Sequence, residues 1–162
     1  MEIVYLNGII KRNEFLLKLG GIKLKLNKET DYAIRMTLFC AKYHSKILSG
    51  IEIIQECKIP ENLGKNILTK LTNSGILHSI KGKNGGFCYT HLPKTVSLFS
   101  IIKIFQSLEI NLCTEKRESC IYRHGECDVC DKLKIIKDGV IEQFKNIYIE
   151  ELIEEQYRKY NN

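Results

Sequence analysis

The chain has 162 residues, of which 44% are hydrophobic, and a formal net charge of +6. That length holds one domain, or a small domain with an extension, and the apolar content is ordinary for a chain that buries a core. No apolar run approaches the roughly 20 residues that a membrane-spanning helix needs, and the apolar stretches near the start are broken by Lys11, Arg12, Glu14 and Lys18, unlike a secretory leader.

These features point to the cytoplasm and to no membrane partner. In a reducing compartment, clustered cysteines more often bind metal or do redox chemistry than form structural disulfides. The seven cysteines are also an odd number, which suits a disulfide framework poorly. Charge is unevenly spread. Residues 24–95 carry eleven Lys/Arg against five Asp/Glu, whereas residues 96–162 carry ten against twelve. A basic first half is a modest footprint for nucleic acid, although on charge alone a solvated basic surface is the better account.

In chain order, Asn27 suits the N-cap of a helix running to about Tyr43, with Tyr32, Met36, Phe39 and Tyr43 at helical spacing. Ser49 and Glu52 form a capping-box pair that opens a short second helix, with Ile51 and Ile54 expected inward. Lys58 and Ile59 make a tight turn. Pro60 suits the first position of a third helix over residues 60–73, which turns Leu63, Ile67, Leu68 and Leu71 to the core and ends at Gly75. The period then changes to that of two short strands, residues 76–80 and 87–90, around the glycine-rich turn 81–86. Ser97 caps a fourth helix with Leu98, Ile101, Phe105 and Leu108 on one face. After a cysteine-rich stretch, a long amphipathic helix starts near Cys127, with Leu133, Ile136, Val140, Phe144 and Ile147 in a stripe. A final helix carries Glu150, Glu151, Glu154 and Glu155.

Two short helices joined by a tight turn and followed by a hairpin describe a winged helix-turn-helix. The expected class is therefore mainly α with a small β-hairpin wing, followed by a long C-terminal helix. The second helix of such a motif enters the major groove. Asn62, Lys65, Asn66 and Lys70 are its candidate DNA-facing residues, and Lys81 and Lys83 are those of the wing turn. An asparagine amide donates and accepts together, as the edge of adenine requires, and lysine serves guanine or phosphate. Taken singly, each of these residues is better explained by solvation. Their order within one motif carries the reading.

Four stretches, LKLNKETDYAIR (24–35), IPENLGKNILTKL (59–71), SGILHSIKGKNGGF (74–87) and VSLFSIIKIFQSLE (96–109), resemble the Rrf-type bacterial winged-helix regulators, which include the IscR, NsrR and CymR types. The resemblance covers residues 24 to about 153. It implies a DNA-binding transcriptional regulator, more often a repressor, that acts as a homodimer on a palindromic double-stranded operator. The long C-terminal helix would be the dimer interface. A two-fold dimer sets its recognition helices about 34 Å apart, one turn of DNA. On this reading residues 24–95 form the DNA-binding domain and residues 96–162 the cysteine loop and dimerisation helices. There are two departures. The family's large apolar residue followed by an acid in the recognition helix is here Gly64 and Lys65, and its usual wing arginine is Lys81, which gives up bidentate geometry. Glycine in a helix interior also costs stability.

The resemblance also gives meaning to residues 113–130, which hold four of the seven cysteines. Cluster-binding relatives carry three cysteines before the long helix, and some carry a histidine three residues further on. Here Cys113, Cys120 and Cys127 have six residues between neighbours, one more than is usual, and Cys130 takes the histidine's position. The implied site is all-thiolate, Cys113/Cys120/Cys127/Cys130. It suits an iron–sulfur cluster, 2Fe–2S ahead of 4Fe–4S, with zinc as the alternative and a bare thiol switch as the third reading. His124 is read as a solvated loop residue, Cys40 and Cys57 as small core residues, and Cys88 is given no role. A cluster-free or zinc-stabilised regulator, or a small iron–sulfur electron carrier, is the functional alternative. No catalytic constellation is present, so an enzyme is not expected.

Relatives begin Met-Lys-Leu where this chain has Leu24, Lys25 and Leu26. Leucine can be encoded by the start codon TTG, and Gly20-Gly21 can be encoded by a ribosome-binding sequence. Residues 1–23 are accordingly expected to be a mis-assigned or disordered extension.

Overall fold

The computed structural model describes residues 25–110 and 127–160. The expected extension 1–23 and the stretch holding Cys113, Cys120 and His124 lie outside them. The described elements run α1 (Lys28–Lys42), α2 (Gly50–Glu56), α3 (Glu61–Asn73), β1 (His78–Ile80), β2 (Gly86–Cys88), a 3-10 turn (Pro93–Thr95), α4 (Leu98–Phe105), α5 (Asp128–Lys145) and α6 (Ile149–Tyr160).

Local chemistry starts the helices where the sequence places them. The Asn27 side chain accepts from Thr30 N–H at 2.7 Å. Ser49 and Glu52 close a reciprocal capping box, and the Ser97 side chain accepts from Ser100 N–H. Each such cap satisfies backbone donors that helix geometry leaves over. Pro60 stands at the N-cap of α3, one place earlier than expected. Its fixed φ ends the α2–α3 turn, in which Lys58 adopts φ 50°.

Helix α1 is the hub. Ala33, Met36, Leu38 and Cys40 are almost completely buried, and α1 packs against α2, α3, α4 and α6. Ile53 and Ile54 face it from α2, Ile67, Leu68 and Leu71 from α3, and Ile101 and Ile102 from α4. Each buried aliphatic side chain of this size contributes about 1.5–3 kcal/mol. The inward residues of α2 are Ile53 and Ile54, while Ile51 is 62% exposed, contrary to the expected face. So short a helix offers too few turns for its period to separate the two faces.

Helices α2 and α3 cross closely at Gly64. A Cβ there would lie 2.6 Å from Ile54 Cγ1. The glycine that looks costly for α3 alone is what lets the two helices meet. Beyond α3, Ile76 and Leu77 are core residues, so the strands are shorter than expected and pair antiparallel with His78 opposite Cys88 and Ile80 opposite Gly86. Leu48 exchanges both backbone hydrogen bonds with Phe87, at 2.9 and 2.8 Å, which ties the wing to the approach to α2. Gly86 permits this, because a Cβ there would strike the Leu48 carbonyl.

Helix α4 ends at Phe105, so Leu108 packs against the core from beyond the helix. The stripe of α5 divides. Phe144 is 3% exposed and packs with α4's side of the core, Leu133, Val140 and Ile147 are half-buried, and Ile136 is 46% exposed; outside the stripe, Val129 and Ile135 are 67% and 63% exposed. The start of α6 is laced to the start of α4 by Leu98 N–H to the Ile147 carbonyl, 2.7 Å, and Ile149 N–H to the Val96 carbonyl, 3.0 Å. No described helix is long and apolar enough to cross a membrane.

Candidate nucleic-acid interface and thiol site

Burial of Gly64, Ile67, Leu68 and Leu71 fixes which side of α3 is turned outward. Helical geometry then puts Asn62, Asn66, Thr69 and Asn73 in one exposed row, with Lys65 and Lys70 along its two edges. Asn62, Asn66 and Lys65 are exposed as expected. Thr69 and Asn73 belong to the same row and were legible from the period, though they stand outside the expected set. Thr69 bonds its hydroxyl to the Lys65 carbonyl at 3.0 Å, which orients its methyl and oxygen.

The two lysines differ in their surroundings. Lys65 pairs with Glu61 one turn earlier at 2.5 Å, both side chains being mostly exposed. Its hydrogen bond and charge hold the Glu61 carboxyl below the usual carboxylate range. A pair this exposed is screened by solvent, contributes little to stability and yields to a phosphate. Lys70 instead reaches Glu29 on α1 at 2.7 Å, with the Phe105 ring 5.4 Å away. Neither acidic partner was anticipated. Glu61 could have been read from the i, i+4 rule, but Glu29 is distant in sequence and no local signal identifies it.

Lys81 and Lys83 stand exposed on the wing turn. The wing's root is fixed to the end of α3 by a 2.5 Å hydrogen bond between His91 Nε2 and the carbonyl of Gly75. Helix α3 and the hairpin are thus braced to one another by backbone and side chain.

Of the four implied thiol ligands, Cys127 is the N-cap of α5 and Cys130 lies in its first turn, half-buried and buried respectively. Cys113 and Cys120 are outside the described residues. Among the described residues no three His, Cys, Asp or Glu side chains gather as a metal site. Cys127 and Cys130 nevertheless stand three residues apart across the first turn of α5, and four cysteines are a donor set that fits a thiophilic centre. Cys40, Cys57 and Cys88 are buried in the core. Burial pushes the Cys57 thiol up to about 12 and raises that of Cys40 further, so both stay protonated and apolar in character, as expected of core residues.

The Rrf2 family, described as iron-dependent transcriptional regulators, matches residues 26–155. The HTH-type transcriptional regulator NsrR of Halalkalibacterium halodurans is 29% identical over 140 residues, 83% of this chain and 86% of that one. Protein aau3 of Rhizobium meliloti is 26% identical over 131 residues, 80% of this chain and 85% of its own. Among solved structures, the global cysteine regulator CymR of B. subtilis has the same fold with TM-score 0.64 at 21% identity, over 82% of this chain and 98% of that one. IscR of T. potens aligns with TM-score 0.69 at 15% identity, over 87% and 94%.

Proposed function

Since the chain belongs to the Rrf2 family of DNA-binding transcriptional regulators, we propose that it is a homodimeric repressor whose hold on its operator is set by an iron–sulfur cluster on Cys113, Cys120, Cys127 and Cys130. The electron-carrier alternative falls with the family match, and the chain is not an enzyme. The DNA-facing set is Asn62, Lys65, Asn66, Lys81 and Lys83, with Lys70 held at its edge. The observation that carries the reading is the position of Cys127 and Cys130 at the start of α5, the helix whose apolar face is left open for a second copy.

A bound cluster supplies a centre that reacts with oxygen or nitric oxide and that depends on iron supply. The protein's part is to join that centre to DNA reading. Four thiolates around one centre would fix the start of α5 relative to α4, and α5 packs on α4 through the side of the core that holds Phe144. In a two-fold dimer, the angle of α5 sets the spacing of the two recognition helices, so losing that restraint shifts the population away from the DNA-competent pair.

Anaerobic purification with iron, sulfide and zinc assays tests this. Iron with sulfide is expected, and Cys127→Ser should lose both and weaken operator binding at least tenfold. Stoichiometric zinc without sulfide would make the thiols a structural clamp, the second reading. On the DNA side, replacing Lys81 and Lys83 by alanine should reduce the slope of log affinity against log salt by about 0.9 for each phosphate that the wing no longer neutralises. An unchanged slope would remove the wing from the interface.

A further inference from the structure

Three elements distant in sequence meet at the first turn of α1. Gln106, the C-cap residue just after α4, accepts two hydrogen bonds on one side-chain oxygen, from Asn27 N–H at 2.8 Å and from the Thr30 hydroxyl at 2.9 Å. The Asn27 side-chain nitrogen donates to the Phe105 carbonyl at 3.4 Å, while its oxygen caps Thr30 N–H. Thr30 is fully buried, so its hydroxyl relies on this acceptor in place of solvent. Between Asn27 and Thr30 stands Glu29, whose carboxylate holds Lys70 of the recognition helix at 2.7 Å, and the Phe105 ring lies 5.4 Å from the same ammonium. The end of α4 therefore positions both the acid and the aromatic ring that engage Lys70.

We propose that this clamp withholds Lys70 from DNA, with Gln106 as its positioning residue, and that loosening it releases one more phosphate-binding cation from the recognition helix. The proposal rests on the DNA-binding reading above and deepens it. Gln106 precedes Cys113 by seven residues in the sequence, so the clamp sits where the cysteine-bearing stretch joins the DNA-reading half. Lys65 makes the contrast. Its acid is on its own helix and exposed, free to be exchanged for phosphate, whereas the acid of Lys70 belongs to another helix and is only 28% exposed. A lysine neutralised in this way adds nothing to counterion release.

The test uses the full chain, purified identically in each form, and a duplex that the wild-type protein selects from a randomised pool. Affinity is measured across a salt series. Glu29→Gln and Gln106→Met should each bind several-fold tighter at low salt, with a salt slope steeper by about 0.9. Gln106→Glu keeps an acceptor for both donors and should match the wild type. Adding Lys70→Met to Glu29→Gln should erase the gain. A mere structural defect weakens binding and cannot steepen the slope. Unchanged slopes, weaker binding without steepening, or a gain that persists without Lys70 would overturn the clamp and leave the regulator reading standing. A protein that selects no duplex would overturn both.

Discussion

Gly64 shows how a residue's effect depends on its neighbours. In an isolated helix, Gly→Ala gains about 1 kcal/mol. Here the added methyl would lie 2.6 Å from Ile54 Cγ1 and 2.9 Å from Cδ1, in a buried crossing. Overpacking of that kind costs about 1–3 kcal/mol, so Gly64→Ala should lower stability by about 1 kcal/mol net. Urea unfolding checks it, and a rise in midpoint would mean that Ile54 moves aside freely. The same crossing gives this glycine a packing role that local propensity could present only as a defect.

At the scale of elements, the open face of α5 gives the sharpest expectation. Val129 and Ile136, two turns apart on one side of the helix, are 67% and 46% exposed, and a two-fold interface along that side would bury them. Ile136→Glu should leave the protomer folded, since that side chain fills no buried core position, and should shift the protein to monomer at micromolar concentration. Sedimentation equilibrium decides between the two states. What could be read in advance divides by range. Caps at Asn27, Ser49 and Ser97 act over three residues, and their partners stand in the sequence beside them. The outward row of α3 follows from its period. The strand limits did not follow, because Ile76 and Leu77 are apolar for the sake of the core and not of the hairpin. Nor did the Lys70–Glu29 pair or the bonds of Gln106, which join residues 41 and 79 apart. The thiol site was legible only through resemblance, because cysteine spacing alone fits several chemistries.

For the whole molecule, the buried acids set an alkaline limit. Burial raises the thiols of Cys40 and Cys57, the latter to about 12, and the Tyr89 hydroxyl to about 12 as well. A folded-state value above the unfolded one means that the unfolded chain releases its proton first as pH rises. The stability these groups lend is whole below the unfolded thiol value near 8.5 and declines above it. The decline is about 1.4 kcal/mol per pH unit for each thiol. Unfolding midpoints should be flat from pH 7 to 8 and fall steeply above 9, and Cys57→Ala should make that fall shallower. A flat profile to pH 10 would mean that these thiols are reached by water in the folded state.

The pair of backbone bonds between Leu48 and Phe87 has a consequence for what the molecule can measure. With the wing joined to the approach to α2 at one end and to α3 through His91 at the other, the two surfaces proposed to meet DNA are the jaws of a locked calliper. Such a tool gauges length as well as chemistry. On the proposed reading, substitutions along the outward row of α3 would retune which bases suit the jaws, while the gap between them stays a constant of the fold, so a half-site lengthened between its two points of contact would have no jaw setting that fits it.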